Sequence, residues 1–474
     1  MLTCSVLWAA GSLFSAALPH GTAAAAGPAS LPKRPNVLFL FSDDQRPDTI
    51  HALGNAVIVT PHLDRLARSG TVFTRVVSPN PLCVPARKEI LSGCCGIRNG
   101  LVNFGPRFDR DQVPLPRVLR QAGYHTWHVG KWHSEGRPKE CGYEESLGLF
   151  MLGAKPVPGV DHAGRKATGY QGAVFQTDDG KFFPEKGVGL TPDISREFAD
   201  AAISFIRRQP TEPFFLHVNF TAPHDPLLIP PGYEGKYDPA KIPLPSNFLP
   251  EHPFDHGDFR SRDELLFAWP RTPAEVRAEL AAYYAVISHM DEQIGRILAS
   301  LEATGQVDNT VVIFSSDQGL AIGSHGLRGK ENMYEHTVGT PLIICGPGVP
   351  EGARRNAQCY LRDLYPTICE MAGAEVPAVV QGKSLVPVLR DDKRTLYPAI
   401  FGYFGRVQRM IRTDQWKLIY YPEIGRWQLF DLGTDPYELK DLSGDPQHAT
   451  ALSALRAKLA AWQTDVEDPL LREK

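Results

Sequence analysis

"NVLFLFSDDQ", Asn36 to Gln45, is an unbroken apolar run that stops at two aspartates. A run this short, apolar on both faces, predicts a strand buried inside a parallel sheet. "TVVIFSSDQG", Thr310 to Gly319, repeats the pattern with Asp317 and Gln318 at its end, and "PFFLHVNF", Pro213 to Phe220, is a third such run. Amphipathic helices lie between them. "TPHLDRLARSG" opens with Thr60 as N-cap and Pro61 at the first helical position, turns Leu63, Leu66 and Ala67 inward, and stops at Gly70. "PDISREFADAAISFIRR" places Ile194, Phe198, Ala201 and Phe205 on one face. The longest helix starts at Thr272, with Pro273 next and Glu275 set for a capping box. Val276, Leu280, Tyr283, Ile287, Met290, Ile294, Ile297 and Leu301 then recur at spacings of three and four, and Gly305 ends it. This alternation predicts an α/β fold: a large doubly wound sheet, mixed but mostly parallel, flanked by helices.

After about residue 375 the pattern changes. "MIRTDQWKLIYYP" and "RWQLFDL" read as adjacent antiparallel strands, with Met410 to Tyr421 partly alternating, and "HATALSALRAKLAAWQTDV" reads as a closing amphipathic helix. The expected organisation is a catalytic domain over residues 35–374 and a smaller C-terminal α+β domain over 375–474, an antiparallel sheet plus helix. No internal repeat is seen.

The chain has 474 residues and a formal net charge of −3, which suits one large domain with a smaller one and gives no basic footprint for nucleic acid or a membrane surface. The first 32 residues contain no Lys, Arg, Asp or Glu. Cys4 to Leu18 is apolar or small, and "GTAAAAGPAS" offers Ala-x-Ala cleavage sites, so residues 1–26 read as a secretory signal peptide, although no positive charge precedes the apolar run. That run is too short for a comfortable membrane span, and no later stretch qualifies. Export is expected, to a periplasm or the exterior. The lone sequon, Asn219-Phe220-Thr221, falls at a predicted buried strand end, which favours a bacterial setting over a lysosomal glycoprotein. Cleavage would remove Cys4 and leave Cys83, Cys94, Cys95, Cys141, Cys345, Cys359 and Cys369, an odd number in an oxidising compartment.

In open α/β sheets, ligands bind beyond the carboxyl ends of strands. Asp43-Asp44 and Asp317-Gln318 both stand at such ends. Clustered carboxylates repel unless protonated or neutralised by a cation. Three carboxylates and an amide carbonyl are hard oxygen donors that suit calcium or magnesium rather than zinc. Four more short stretches carry polar groups. In "NPLCVPARKEILSG", Cys83 lies between Pro81 and Pro85 with Arg87 four residues on, at the start of a predicted short helix, Pro85 to Ser92. "GKWHSEG" places Lys131 and His133 two apart, on one face if extended. "TAPHDP" holds His224 and Asp225, and "GSHGLRGKENMYEH" holds His325 and Lys330. Singly, each has an ordinary structural explanation: a solvated turn, a satisfied histidine, an exposed lysine.

Taken together and in this order, the motifs resemble the sulfatase family of the alkaline phosphatase superfamily. Cys83-Val84-Pro85-Ala86-Arg87 followed by Leu91-Ser92-Gly93 is similar to the motif in which that family converts a cysteine to formylglycine (3-oxoalanine). The resemblance spans roughly residues 35 to 440, including "LFDLGTDPYELKDL". It implies a sulfuric ester hydrolase acting on a sulfated carbohydrate or other small sulfate ester, matured by a formylglycine-generating enzyme. It implies one calcium ion held by Asp43, Asp44, Asp317, Gln318 and the oxygen of modified Cys83. It also implies catalytic roles for Cys83, Arg87, Lys131, His133, His224 and Lys330. Arg87 and Lys131 would hold the hydrated aldehyde and sulfate oxygens. His133 would take a hydroxyl proton. His224 and Lys330 would contact sulfate and assist the leaving oxygen, His224 as general acid. His325 is assigned to loop structure. The chain departs from the family pattern at Gln318, where Asn or His is commoner, and at Cys94-Cys95, where Arg often follows the glycine.

Two other readings stand beside this one. A phosphonate monoester or phosphodiester hydrolase of the same superfamily would use the same machinery. A non-catalytic homologue that binds sulfated glycans would keep Cys83 unmodified. Specificity is expected from the long loops, residues 153–189 and 226–269.

Overall fold

The computed structural model describes residues 34–99, 101–103 and 111–472. The proposed signal peptide lies outside the described residues. Ten strands form one sheet: β1 (Asn36–Ser42), β2 (Gly70–Val77), β3 (His125–Lys131), β4 (Glu145–Leu152), β5 (Ala173–Gln176), β6 (Phe214–Asn219), β7 (Thr310–Ser316), β8 (Gly339–Cys345), β9 (Ala353–Arg355) and β10 (Cys359–Tyr360). Their order is β10-β2-β8-β7-β1-β6-β3-β4-β5, with β9 also pairing β2. The central pairs β7-β1-β6-β3-β4 are parallel, while β2-β8, β7-β8 and β4-β5 are antiparallel. The expected mixed, mostly parallel sheet is what the chain forms.

β1 explains why the sheet is covered on both sides. Val37, Phe39 and Phe41 join one buried cluster, and Leu38 and Leu40 join the other. With both faces apolar, neither can be left in water, and helices pack on each. α1 (Pro61–Ser69), α4 (Ile194–Ile206) and α5 (Pro273–Ala303) lie on one face; α2 (Cys83–Ser92) and α3 (Leu115–Gln121) lie on the other. Three details differ from the sequence reading. Thr60 does not cap the amides of α1; its hydroxyl accepts from His51 N and donates to Asp64 Oδ1. At α5, Thr272 Oγ1 does accept from Glu275 N, but the Glu275 carboxylate takes the Thr272 hydroxyl rather than the cap amide. Ala201 is only half-buried, and Ala202, Ile203 and Ile206 fill the inner face of α4.

Register sets the site. Phe41 pairs with Asn219 of β6, Ser42 with Ser316 of β7, and Gly130 of β3 with Asn219. Four adjacent parallel strands therefore end at one level, and whatever follows each emerges side by side.

A second sheet is antiparallel: β11 (Ile400–Phe404), β12 (Gln408–Arg412), β13 (Trp416–Tyr421) and β14 (Arg426–Asp431), in that order. The partly alternating stretch Met410 to Tyr421 is thus two strands with a turn at Thr413–Gln415. One face packs the helix Ala449–Asp465 through Leu455 and Leu459, and the other packs Met333 and Tyr334 from the loop after β7. Leu385, Val386, Val388 and Leu389 join the core beneath the large sheet. Among the described residues no helix is long and apolar enough to cross a membrane.

Candidate active site

Asp43 and Asp44 leave β1 beside Asp317 and Gln318 leaving β7, and all four are fully buried. Asp44 sits at φ +64, a left-handed conformation that aspartate tolerates better than most residues. Its amide donates to Asp317 Oδ1 at 3.0 Å, and its carbonyl accepts from the Tyr283 hydroxyl of α5. This turn directs both aspartates toward α2.

α2 begins at Cys83, which is 2% exposed. The Sγ lies 3.3 Å from Lys330 Nζ and 3.5 Å from Gln318 Nε2. One ligand atom each of Asp43, Asp44 and Cys83 lie within 4.8 Å of one another. One turn further along α2, Arg87 Nε donates to Asp317 Oδ2 at 3.1 Å and Nη1 to Asn219 Oδ1 at 2.7 Å. Lys131, the last residue of β3, donates to Asp43 Oδ2 at 2.5 Å. Lys330 donates to both oxygens of Asp44, at 2.8 and 3.0 Å. His224 Nδ1 lies 2.6 Å from the Asp225 carbonyl, so that nitrogen carries the hydrogen and Nε2 faces Asp44 Oδ2 at 3.6 Å. Cys83, Lys131, His133, His224 and Lys330 line one cavity of about 480 Å³. His325 does not line it. Its Nε2 meets the Glu438 carbonyl at 2.9 Å, and its ring stacks on Tyr334 at 3.8 Å.

The charges oppose one another. Burial alone would raise Asp43, but Lys131, His224, Arg87 and Lys330 outweigh it and hold the carboxyl well below its ordinary range. Burial pushes Asp44 up to about 6 against Lys330, and pushes Asp317 to about 7 with Asp43 adding to it. Burial lowers His133 and His224, with Lys131 and Lys330 respectively adding to the effect. Burial pushes the Cys83 thiol up to about 12, so the unmodified side chain is a neutral thiol and a weak nucleophile.

A hard divalent cation fits this donor set. Asp43 Oδ1 and Gln318 Oε1 are buried acceptors with no hydrogen-bond partner among the described residues. Orphaned buried acceptors are costly, and all the oxygen donors are of the type that bind such ions. Around Cys83, three carboxylates balance Arg87, Lys131 and Lys330, so an added dication leaves that end of the pocket positive and suited to an anion.

Two contributors were not singled out in the sequence. Tyr170 donates its hydroxyl to Asp43 Oδ2, and Lys131 Nζ lies 5.1 Å from the centre of its ring. Its only signal was membership of the long loop 153–189. Asn219 was noted only as a sequon; it is 3% exposed and engaged by Arg87, which closes it to glycosylation in the folded chain.

Comparison with known proteins gives the same direction. The N-acetylglucosamine-6-O-sulfatase of Bacteroides thetaiotaomicron is 29% identical over 92% of this chain and 87% of its own. The choline-sulfatase of Rhizobium meliloti is 30% identical over 93% and 89%. A solved structure bound to its substrate, D-glucosamine-2-N,6-O-disulfate, superposes with a TM-score of 0.74 at 27% identity, covering 93% of this chain and all of that one. Residues 323–465 match the model for the C-terminal region of N-sulphoglucosamine sulphohydrolase. The sulfatase model matches residues 35–374, most of the chain and every strand of the large sheet, so this protein belongs to the sulfatase family and is a sulfuric ester hydrolase.

Proposed function

We propose that this protein hydrolyses sulfate esters on a sulfated carbohydrate, with Cys83 converted to formylglycine and calcium held by Asp43, Asp44, Asp317, Gln318 and the modified residue. The reading rests on one observation: Cys83 opens a buried helix on the cavity floor, with Lys330 at 3.3 Å and the aspartate pair within ligand distance of its side chain.

Hydrated formylglycine would supply two hydroxyls, one to attack sulfur as the alcohol departs and one whose proton loss lets the carbonyl re-form and sulfate leave. Calcium would supply positive charge next to the sulfate oxygens and favour ionisation of a nearby hydroxyl. The chain's own residues do the rest. Arg87, one turn along α2 from Cys83, fixes that helix against Asp317 and Asn219 through its fork. Lys131 and Lys330, anchored on Asp43 and Asp44, present ammonium hydrogens to sulfate. His133, kept neutral by burial and Lys131, is a base for the second hydroxyl proton. In His224, Nδ1 donates to the Asp225 carbonyl, so Nε2 is the nitrogen free to act; it must first take up a proton, which an adjacent sulfate anion would favour, before it can serve the leaving oxygen as general acid. The N-terminus of α2 adds a partial positive charge to the same point.

Sulfated sugars named for the relatives support a carbohydrate substrate here. We further propose that the chain is exported, from its apolar N-terminal segment. The decisive experiment is mass spectrometry of the peptide carrying residue 83 after co-expression with a converting enzyme, alongside sulfate release from a panel of sulfated saccharides. The expected mass is that of the aldehyde or its hydrate. Full sulfatase turnover by Cys83→Ala would overturn the reading.

A further inference from the structure

The charged lining of the 480 Å³ cavity falls into two groups. At the Cys83 end, Lys131 and Lys330 are joined to Asp43 and Asp44. The remaining charges among the described lining residues are Asp258, Arg262 and Glu331. Arg262 is committed elsewhere. Its Nη2 lies 2.9 Å from Asp225 Oδ1, and its Nε donates to Asp263 Oδ1 at 2.6 Å. Asp258 and Glu331 have no cation partner among the described ion pairs, and Lys330, next to Glu331 in sequence, turns its ammonium to Asp44 instead. Asp258 Oδ2 and the nearby Ser261 Oγ are buried without a hydrogen-bond partner among the described residues. Ser261 lies near enough to act on the Asp258 carboxyl, and among the described residues no cation or amide is placed to satisfy its Oδ2. The rest of the wall is apolar: Phe150 and Met151 of β4, and Phe404 at the end of β11.

We propose that Asp258 and Glu331 form an acidic subsite that receives the hydrogen-bond-donating face of a singly sulfated substrate, hydroxyl or ammonium, and rejects a second anionic group. This deepens the sulfatase reading and rests on it. The volume suits a single sugar-sized group. One sulfate is served by the cations at Cys83, and among the described cavity-lining residues the one further cation, Arg262, is held by Asp225 and Asp263. A carboxylate or second sulfate at this wall would force both acidic groups to stay protonated beside it, whereas an ammonium or hydroxyl can be met by a carboxylate. Burial pushes the Asp258 carboxyl up to about 7, and burial together with Asp263 raises Glu331. Both carboxyls therefore gain most from a donor or cation that favours their ionised form.

The test uses three aryl sulfates with the same phenolic leaving group and different para arms: tyramine O-sulfate (ammonium), tyrosol 4-sulfate (hydroxyl) and 4-hydroxyphenylacetate O-sulfate (carboxylate). With the full-length protein modified at residue 83, kcat/KM is expected to be about tenfold or more higher for the first two than for the third, the scale of one charge-assisted contact. Comparing the ammonium and hydroxyl arms tells which donor the subsite prefers. Asp258→Asn and Glu331→Gln, each checked for an unchanged melting profile, are expected to narrow the gap about tenfold. Equal turnover of the carboxylate arm, or a gap unchanged in both variants, would overturn the subsite while leaving the sulfatase reading intact. Failure of the modified protein to release sulfate from any arm would instead overturn that reading, and the subsite with it.

Discussion

Arg87 and Asp317 are joined, Nε to Oδ2 at 3.1 Å, although 230 positions separate them in the chain. The same guanidinium reaches Asn219 at 2.7 Å, so one side chain ties α2 to the ends of β7 and β6. Lysine keeps the charge but has no planar fork to span two acceptors. Arg87→Lys is therefore expected to lower kcat about 10- to 100-fold, with the far-ultraviolet circular dichroism unchanged. Steady-state kinetics on any turned-over sulfate ester checks it. A kcat within twofold of wild type would mean that charge alone matters at this position.

The donor set predicts a stability response to calcium that is separable from activity. An ion that binds only the folded chain adds roughly 2.7 kcal/mol at a hundredfold excess over its dissociation constant. Thermal unfolding in chelator and then in calcium should show a clear rise in Tm for the wild type. In Asp317→Asn the rise should vanish, because that carboxylate lies between Asp44 and Arg87. Gln318→Ala should need about tenfold more calcium for the same rise, having lost one ligand oxygen among several. A Tm indifferent to calcium in the wild type would remove the ion from the account.

Much of this arrangement was legible in the sequence because buried parallel strands end abruptly. Asp43-Asp44 and Asp317-Gln318 stand out since an apolar run can reach a carboxylate only at its mouth. Cys83, Lys131, His224 and Lys330 were visible as motifs, but nothing local says that four strand ends share a level; that follows from the register of β1 with β6 and β7. Tyr170 was invisible because it comes from a loop without periodicity and reaches Asp43 only through the tertiary fold. The Met410–Tyr421 stretch misled for a different reason. Its turn, Thr413-Asp414-Gln415, contains neither Gly nor Pro, and the alternation of two strands reads across it as one.

Acid should weaken the contact between the large sheet's loops and the second sheet. Glu335 accepts from Arg412 Nε at 2.8 Å and Nη2 at 3.0 Å, and from Lys417 Nζ at 3.0 Å. Burial would raise its carboxyl, but Arg412 and Lys417 prevail and hold it well below the ordinary 4.5. The folded chain thus binds this proton less tightly than the unfolded chain. Its stabilisation is complete above pH 4.5 and is lost as pH falls below that value. Glu335→Gln is expected to lose about 2–3 kcal/mol at pH 7, with the gap to wild type closing on acidification below 4.5. Glu438, which shares Lys417 and is pushed up to about 7 by burial, has the opposite slope. The difference between the two proteins, measured by urea unfolding across pH, therefore carries the test. A gap that widens in acid would contradict it.

Gly130 joins the fold to the site most tightly. It has φ +90, and a Cβ there would lie 2.0 Å from the Asn219 carbonyl oxygen, its partner in the β3-β6 register. That oxygen belongs to sheet backbone and cannot swing aside like a side-chain tip. Its neighbours Lys131 and Asn219 hold Asp43 and Arg87. Gly130→Ala is expected to cost about 3 kcal/mol or more through crowding and positive φ together, and to lower turnover in whatever fraction still folds. Gly373 is the control, since it has φ +66 but open space around its Cβ position. Gly373→Ala should cost only the conformational part, about 1–2 kcal/mol. Melting temperatures of the two variants measured side by side decide the matter. Equal losses would show that the approach of β3 to Asn219 is not what fixes glycine at position 130.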